Sequence, residues 1–377
     1  MIYLNSIETT TPKPEPVIKA VVRAMTTMGN ASRGTHGDAL EASQIVYRTR
    51  QKLANLFGCP RADHVAFTSS GTEALNIAIR GTLWEPCHVI VMSNSACEII
   101  DSINRDYQLA PITYDRIPDD TDWKNIHHTI AGKVRPDTKA IICSHDCSLT
   151  GNIFDLRQIG KLARDKHLLF IADVSRTAGL FPIHMEETFI DVLCFSGHKY
   201  LMGPQGTGGL CIRPGVEIRP FKVGGSGVQS YSKTQPVEYP ARLEAGTLNS
   251  HGIAGLSASL DFLEATGMDP IRQKMLDLMY RFYHGIAQSE HIIVYGNFYS
   301  VPRIPAVTLN IQGIRPELLA EQLQKYHGIK ASVIYGALGH ATSTAIDSAA
   351  VNFSFSYFNT ETEVDDTIRT LLAIASQ

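Results

Sequence analysis

Three short stretches of the sequence set reactive side chains beside glycine. In HVAFTSSGTEALN, a strand-like run ends at Phe67–Thr68, and Ser69, Ser70 and Gly71 lead into a helical pattern from Thr72–Glu73. The free N–H groups and the dipole of a helix N-terminus favour a phosphate. Gly71 lets a phosphate approach the backbone, and the Thr72 hydroxyl adds a donor. An ordinary Ser/Thr N-cap with an acid in the first turn has the same spelling. Asp173 ends the apolar run LLFIAD. Ligands of open α/β sheets bind beyond the carboxyl ends of the strands, although acids there also cap turns. SGHKYLMGPQGTGG follows another apolar run and brings Ser196, His198 and Lys199 to that edge. A lysine on such a turn can be a desolvated amine that forms an imine, whereas most lysines face solvent. Together, a phosphate cradle, a strand-end carboxylate and a lysine after a later strand are what pyridoxal 5'-phosphate (PLP) requires. The phosphate anchors, Asp173 keeps the pyridine nitrogen protonated, and Lys199 carries the aldehyde.

Elements that hold such residues at one edge are legible from about Asp63 to Arg213. HVAFTS, HVIVM, PITYD, AIICS, LLFIAD, DVLCFS and GGLCIR read as strands, and TEALNIAIRGTL and FDLRQIGKLARDK have helical spacing. Their alternation predicts an α/β fold with a large, mostly parallel sheet covered on both faces. DVLCFS and GGLCIR are close enough for a hairpin at one edge. After residue 250, two helical patterns precede strand-like AVTLNI, a helix PELLAEQLQKY, a strand AAVNFSF and a last helix ETEVDDTIRTLLAIA. The expected division is a large α/β domain over 14–250 and a smaller α+β domain over 251–377, joined by segment 1–13. GGSGVQSYSKTQPVEYPARLEAGT between them reads as a functional loop.

Composition removes several classes. The 377 residues are 44% hydrophobic and 19% charged, with a net charge of −3. No basic cluster points to nucleic acid, and no apolar run is long enough for a bilayer. The opening MIYLNSIETTTPKPEP lacks a secretory layout, and seven scattered cysteines read as reduced thiols of a cytoplasmic protein.

Over essentially its whole length the sequence resembles the class V aminotransferases of the cysteine desulfurase family. The resemblance rests on YLNSIETTTPKPEPV, NASRGTHGDALEAS, FTSSGTEALN, DVSRTAG, SGHKYLMGPQGTGGLCIR, RLEAGTLN and SFSYFNTETEVDD. It implies a fold-type-I homodimer with shared active sites and PLP as cofactor. It assigns Lys199 as the internal aldimine, Asp173 to the pyridine nitrogen, and Gly71, Thr72, Ser196 and His198 to the phosphate. Thr247 of RLEAGT is implied to reach the phosphate of the neighbouring subunit.

The departures from the family lie on the substrate side. Its ring-stacking histidine falls at Ala96 in SNSACEII, which can neither stack nor move a proton. The asparagine near the cofactor's phenolic oxygen is Ser148, and the glutamine three residues after the strand-end aspartate is Arg176. Arg176 is a permanent cation suited to a carboxylate or phosphate, or to a salt bridge with an acid such as Glu8. The opening Asp-Asn-Ala-Ala run reads Asn5, Ser6, Ile7 and Glu8. The desulfurase cysteine aligns with Tyr335 or Ala337, in a loop without cysteine. The carboxylate-binding arginine is Asn352. Cys97 is the cysteine placed nearest the cofactor, either as a substitute nucleophile or as an inert thiol. Cys143, His145 and Cys147 stand at strand spacing, but no fourth ligand accompanies them, so no metal is expected.

The leading expectation is a PLP enzyme acting on an amino acid by β-elimination, a C–S lyase with no persulfide cysteine. Tentative substrate contacts are Glu8, Arg176, Tyr335 and Asn352. An aminotransferase or specialised biosynthetic enzyme, a desulfurase using Cys97, and a binding protein that retains PLP are the alternatives.

Overall fold

The computed structural model describes residues 1–376 except 32–33, 35, 107–110, 118–125, 229–232, 300 and 336–348. The elements up to the central sheet are β1 (Ile2–Tyr3), α1 (Glu15–Thr27) and α2 (Gly37–Phe57). The sheet region follows as β2 (Val65–Thr68), α3 (Gly71–Thr82), β3 (Cys87–Met92), α4 (Asn94–Asp106), β4 (Ile112–Arg116) and α5 (Ile126–Ala131). It continues with β5 (Thr138–Ser144), α6 (Leu156–Asp165), β6 (Leu169–Asp173), α7 (Met185–Thr188), β7 (Val192–Ser196) and β8 (Gly208–Ile212). The remainder is α8 (Ser250–Thr266), α9 (Met268–Ile286), β9 (Ile292–Tyr295), β10 (Ala306–Ile311), α10 (Pro316–His327), β11 (Ile329–Lys330), β12 (Ser332–Tyr335), β13 (Ala349–Ser354) and α11 (Glu361–Ala375).

The chain divides into two units. The large one comprises Lys13–His145 and Asp155–Ala265; the small one comprises Met1–Pro12, Asp146–Phe154 and Thr266–Gln377. The expected border at 250/251 therefore moves to 265/266. The cause is α8, which buries Ile253, Ala254, Leu256, Leu260 and Leu263. Its Gly255 packs so tightly that a Cβ there would lie 2.5 Å from Pro204 and 2.6 Å from Val21. The second change is segment 146–154, which the apolar alternation alone does not separate from its flanks.

In the large unit seven strands run in the order β2-β8-β7-β6-β5-β3-β4. β4, β3, β5, β6 and β7 are mutually parallel. Every residue of β3 and β7 is buried, as expected of strands covered on both faces. β7 and β8 do pair antiparallel, but not at the edge. β2 closes that side by pairing antiparallel with β8, with Thr68 opposite Gly208. This order aligns the carboxyl ends of β5, β6 and β7, with Ser144 opposite Asp173 and Asp173 opposite Cys194.

The small unit holds a four-stranded antiparallel sheet, β12-β13-β10-β9. One face contributes Val307, Leu309, Val351 and Phe353 to a core with α9, α10 and α11 residues such as Phe282, Leu319 and Leu371. The other face carries a polar cross-strand row, Ser332, Asn352, Thr308 and Tyr295. β1, β9, β11 and β12 have two to four residues each, too short for periodicity to mark them.

Candidate active site

The site is built at the carboxyl edge of the large sheet. Ser70 N-caps α3 by accepting from Glu73 N at 3.2 Å. Glu73 in turn accepts from Ser69 N at 2.6 Å and from the Ser69 hydroxyl at 2.7 Å, and pairs with Lys222. Gly71 N donates to Ser196 Oγ at 3.0 Å. Among the described residues, the N–H of Thr72 remains the open donor of this first turn, and its side chain is exposed. Gly71 has a second reason to be glycine. A Cβ there would lie 2.1 Å from Ser175 Oγ and 2.8 Å from Ser196 Oγ. Two hydroxyls therefore converge on the helix start, one of which, Ser175 Oγ, is buried without a hydrogen-bond partner.

Asp173 stands half-buried at the end of β6, with Oδ1 accepting from Ser175 N at 2.9 Å. His145, the first residue beyond β5, donates its N–H to the Asp173 carbonyl at 2.9 Å. Its ring is fully enclosed, and burial pushes its pKa down to about 3. Nδ1 meets Thr177 Oγ1 at 2.9 Å, so His145 is a neutral structural strut for the DVSRTAG turn. Arg176 is half-buried on that turn.

Lys199 sits on a turn that its glycines close. Gly203 N donates to Gly197 O at 2.7 Å, Gly197 N to Thr207 O at 2.9 Å, and Met202 N to Lys199 O at 2.9 Å. A Cβ on Gly197 would lie 2.3 Å from Thr207 Oγ1, so this path accepts nothing larger. His198 is held down to about 4, chiefly by burial and then by the ammonium groups of Lys199 and Lys13, and is neutral near pH 7.

RLEAGT is fixed from below. Glu244 forms a bidentate pair with Arg50 of α2 at 2.7 and 2.6 Å and accepts from Phe67 N at 2.6 Å. Thr247 is exposed beyond this anchor. It lines a cleft of about 170 Å³ with Ser69, Glu73, Thr207 and Lys222. A larger cavity, about 870 Å³, opens instead beside Lys139, Leu169 and Asp191, at the opposite ends of the strands.

These groups fit a phosphorylated pyridine aldehyde. A twelve-residue helix presents an open N–H beside two serine hydroxyls, with a strand-end carboxylate and a lysine on the neighbouring strand ends. Of the other expected positions, Ala96 is fully buried on α4, with its N–H on Ser93 Oγ at 3.3 Å. Four lie in the small unit. Ser148 is half-buried, while Glu8 and Tyr335 are exposed. Asn352 is buried on β13 and donates to Thr308 Oγ1 at 2.9 Å, leaving Oδ1 without a partner. Ala337 lies outside the described residues.

The spacing argument for Cys143, His145 and Cys147 does not hold, because β5 ends at Ser144. Cys143 donates to Ser144 O, and Cys147 accepts from Thr150 N. The residues that sequence reasoning missed are Lys13, Arg50 and Ser175, and His145 was noted only for its spacing from two cysteines, not for its contacts with Asp173 and Thr177. Glu244 was visible only as a letter of its motif.

Residues 2–367 match the class V aminotransferase family, and the chain belongs to it. Members of this family related to cysteine desulfurases are generally PLP-dependent. A "probable cysteine desulfurase" of Methanothermobacter thermautotrophicus is 26% identical over 99% of this chain and 94% of its own length. The cysteine desulfurase IscS of Haemophilus ducreyi is 26% identical over 97% of this chain and 91% of its own. The fold matches the apo cysteine desulfurase of Thermococcus onnurineus NA1 with a TM-score of 0.85 at 24% identity, covering 100% of this chain and 94% of that one. Among the described residues, no helix is long and apolar enough to cross a membrane.

Proposed function

We propose that the chain is a PLP-dependent enzyme that cleaves a carbon–sulfur bond of an amino acid by β-elimination, with no cysteine accepting the sulfur. When bound, the cofactor supplies an electron sink for the substrate Cα. Lys199 holds the cofactor and carries the Cα proton. Asp173 maintains a proton on the ring nitrogen, and the Thr72 N–H and Ser196 hydroxyl bind the phosphate. The Lys199 amine would take the Cα proton, the Cβ–S electron pair would leave with the sulfur, and the departing thiolate would take up a proton to become the thiol. Water then releases the three-carbon product as pyruvate and ammonium.

One observation carries this reading: all seven cysteines are buried free thiols, and none lies within 336–348. A sulfur acceptor needs an accessible thiolate. Burial instead raises the pKa of Cys87, and that of Cys194 and Cys211 well above the usual thiol value, while Cys59, lowered by its hydrogen bond with Cys211, is itself buried. Cys97 packs in the large-unit core beside Tyr114, whose hydroxyl it helps push up to about 12, behind burial as the main cause. With L-cysteine, L-cystine and S-conjugated cysteines as substrates, pyruvate and ammonium should appear together with a free thiol or persulfide product in solution. Mass spectrometry should find no persulfide on the protein. A turnover-dependent persulfide on Cys97 would restore the desulfurase reading, which the named relatives favour.

A cation is still needed for the substrate carboxylate, because Asn352 stands where the family has arginine. Arg176 is the choice, three residues beyond Asp173. Arg176→Gln should weaken substrate binding at least about tenfold, or ~1.4 kcal/mol, with PLP content nearly unchanged. Loss of PLP with normal substrate binding would assign Arg176 to the cofactor.

The same reading includes a homodimer in a reducing compartment. Ile18, Val22 and Met25 form an exposed stripe on α1, 53–66% accessible, and Leu40 and Tyr47 of α2 are similarly exposed. An apolar patch of this kind supports burial against a second copy, which sedimentation velocity reads directly. Seven free thiols support the compartment.

A further inference from the structure

Nothing in the spelling PKP marks Lys13 as reactive. Pro14 N-caps α1, which fixes the direction in which the chain enters the large unit. From there Lys13 Nζ donates to the carbonyl oxygen of His198 at 2.7 Å, so its head group rests on the peptide that joins His198 to Lys199. Burial pushes this ammonium down to about 8. Its charge is felt next door: Lys199 and Lys13 both oppose protonation of the His198 ring. Two ammonium charges thus act on one neutral imidazole, and one of them is that of Lys199.

We propose that Lys13 is a positioning residue for Lys199, pinning the His198–Lys199 peptide and favouring the unprotonated Lys199 amine through its own positive charge. This rests on the reading of Lys199 as the reactive amine. An ammonium can neither attack an aldehyde nor take a proton from Cα. A neighbouring cation is one of the few means by which a protein makes a lysine neutral. Among the described residues, the charged groups to weigh beside it include Asp173 at the end of β6, Arg176 on the turn that follows, and Glu15 and Lys19 on α1. Glu15 and Lys19 pair with each other at 2.7 Å in solvent. The Lys13 charge is present below its depressed pKa and lost above it, so the assistance acts up to roughly pH 8.

The test needs no bound cofactor. Full-length protein, cleared of aldehyde with hydroxylamine, is labelled with trace acetic anhydride across the neutral and alkaline range. Acetylation of the Lys199 peptide, read by mass spectrometry, gives the midpoint of its titration. Lys13→Met and Lys13→Gln should raise that midpoint by about one pH unit. Lys13→Arg, which keeps the donor and stays charged at every pH probed, should hold it in place or lower it. An unchanged midpoint in the Gln variant overturns the proposal, because Gln can donate a hydrogen bond but carries no charge. A rise with Met alone does the same, by reducing Lys13 to a hydrogen bond. Should the Met variant fail to fold, the Gln and Arg pair decides by itself. Failure of the cofactor reading is seen elsewhere, as the lack of any borohydride-fixed adduct on Lys199 in the protein as purified.

Discussion

Lys199→Ala protein should fold normally and contain no borohydride-reducible cofactor adduct. The turn around residue 199 is closed by backbone bonds: Gly203 N to Gly197 O, Gly197 N to Thr207 O, and Met202 N to Lys199 O. None of them uses the lysine side chain, which is only half-buried. Truncation therefore removes the amine and leaves these backbone closures in place. Activity should fall by more than the roughly 10²–10⁴-fold expected for a general base alone, because the covalent anchor goes with it. Reduction with borohydride, digestion and mass spectrometry make the check. In wild-type protein the label belongs on the peptide holding Lys199; finding it on Lys13 or Lys222 instead would sink the assignment.

Glu244→Ala should destabilise the protein by about 3–5 kcal/mol, the range for breaking a buried ion pair from one side. Both side chains are almost inaccessible, at 7% for Arg50 and 6% for Glu244, so solvent screening offers no relief. Arg50 would keep its stacking over the Phe67 ring, 4.6 Å from the centroid, and its bond to Val65 O. Its charge would be left uncompensated, and Phe67 N would lose its acceptor. Urea denaturation of the large unit reads the loss. The companion experiment is the double change Arg50→Met with Glu244→Leu, which should recover most of the stability because no charge remains buried. If the single variant is as stable as wild type, the pair does not anchor RLEAGT.

The large sheet was legible because parallel strands covered on both faces are apolar nearly throughout, as the runs VIVM, AIIC, LFIA and VLCF are, whereas PITYD forms the half-exposed edge strand β4. The position of GGLCIR was not. Pairing with DVLCFS is local and follows from their closeness, whereas insertion between β7 and β2 depends on a partner more than 140 positions earlier, Val65 opposite Cys211. Gly71, Asp173, Ser196 and Lys199 could be named because helix starts and strand ends are marked by residue type. Lys13 could not, and His145 stood out only for its spacing from Cys143 and Cys147. What makes them part of the site is hydrogen bonding, from Lys13 Nζ to His198 O, from His145 N to Asp173 O and between His145 Nδ1 and Thr177 Oγ1, and no periodicity encodes such contacts. At Gly71 the structure adds a steric reason for glycine, the crowding of Ser175 and Ser196, to the one read from the sequence. The 250/251 border failed because α8 is apolar enough for either neighbour, and only packing against Pro204 and Val21 decides.

The small unit is stitched from both ends of the chain. β1 pairs in parallel with β11, Ile7 N donates to Ser354 Oγ across 347 positions, and Asn359 Nδ2 donates to Tyr3 O. During synthesis, the first dozen residues emerge long before anything exists for them to bind. At ordinary elongation rates the wait between Ile7 and Ser354 is roughly 20–70 s. The large unit, whose stretches end at Ala265, can collapse on the ribosome while that leader remains unpaired. Closure of the small unit thus waits for the strands around Ser354, and the growing chain exposes Leu4 and Ile7, both buried at the end, to chaperones throughout the interval.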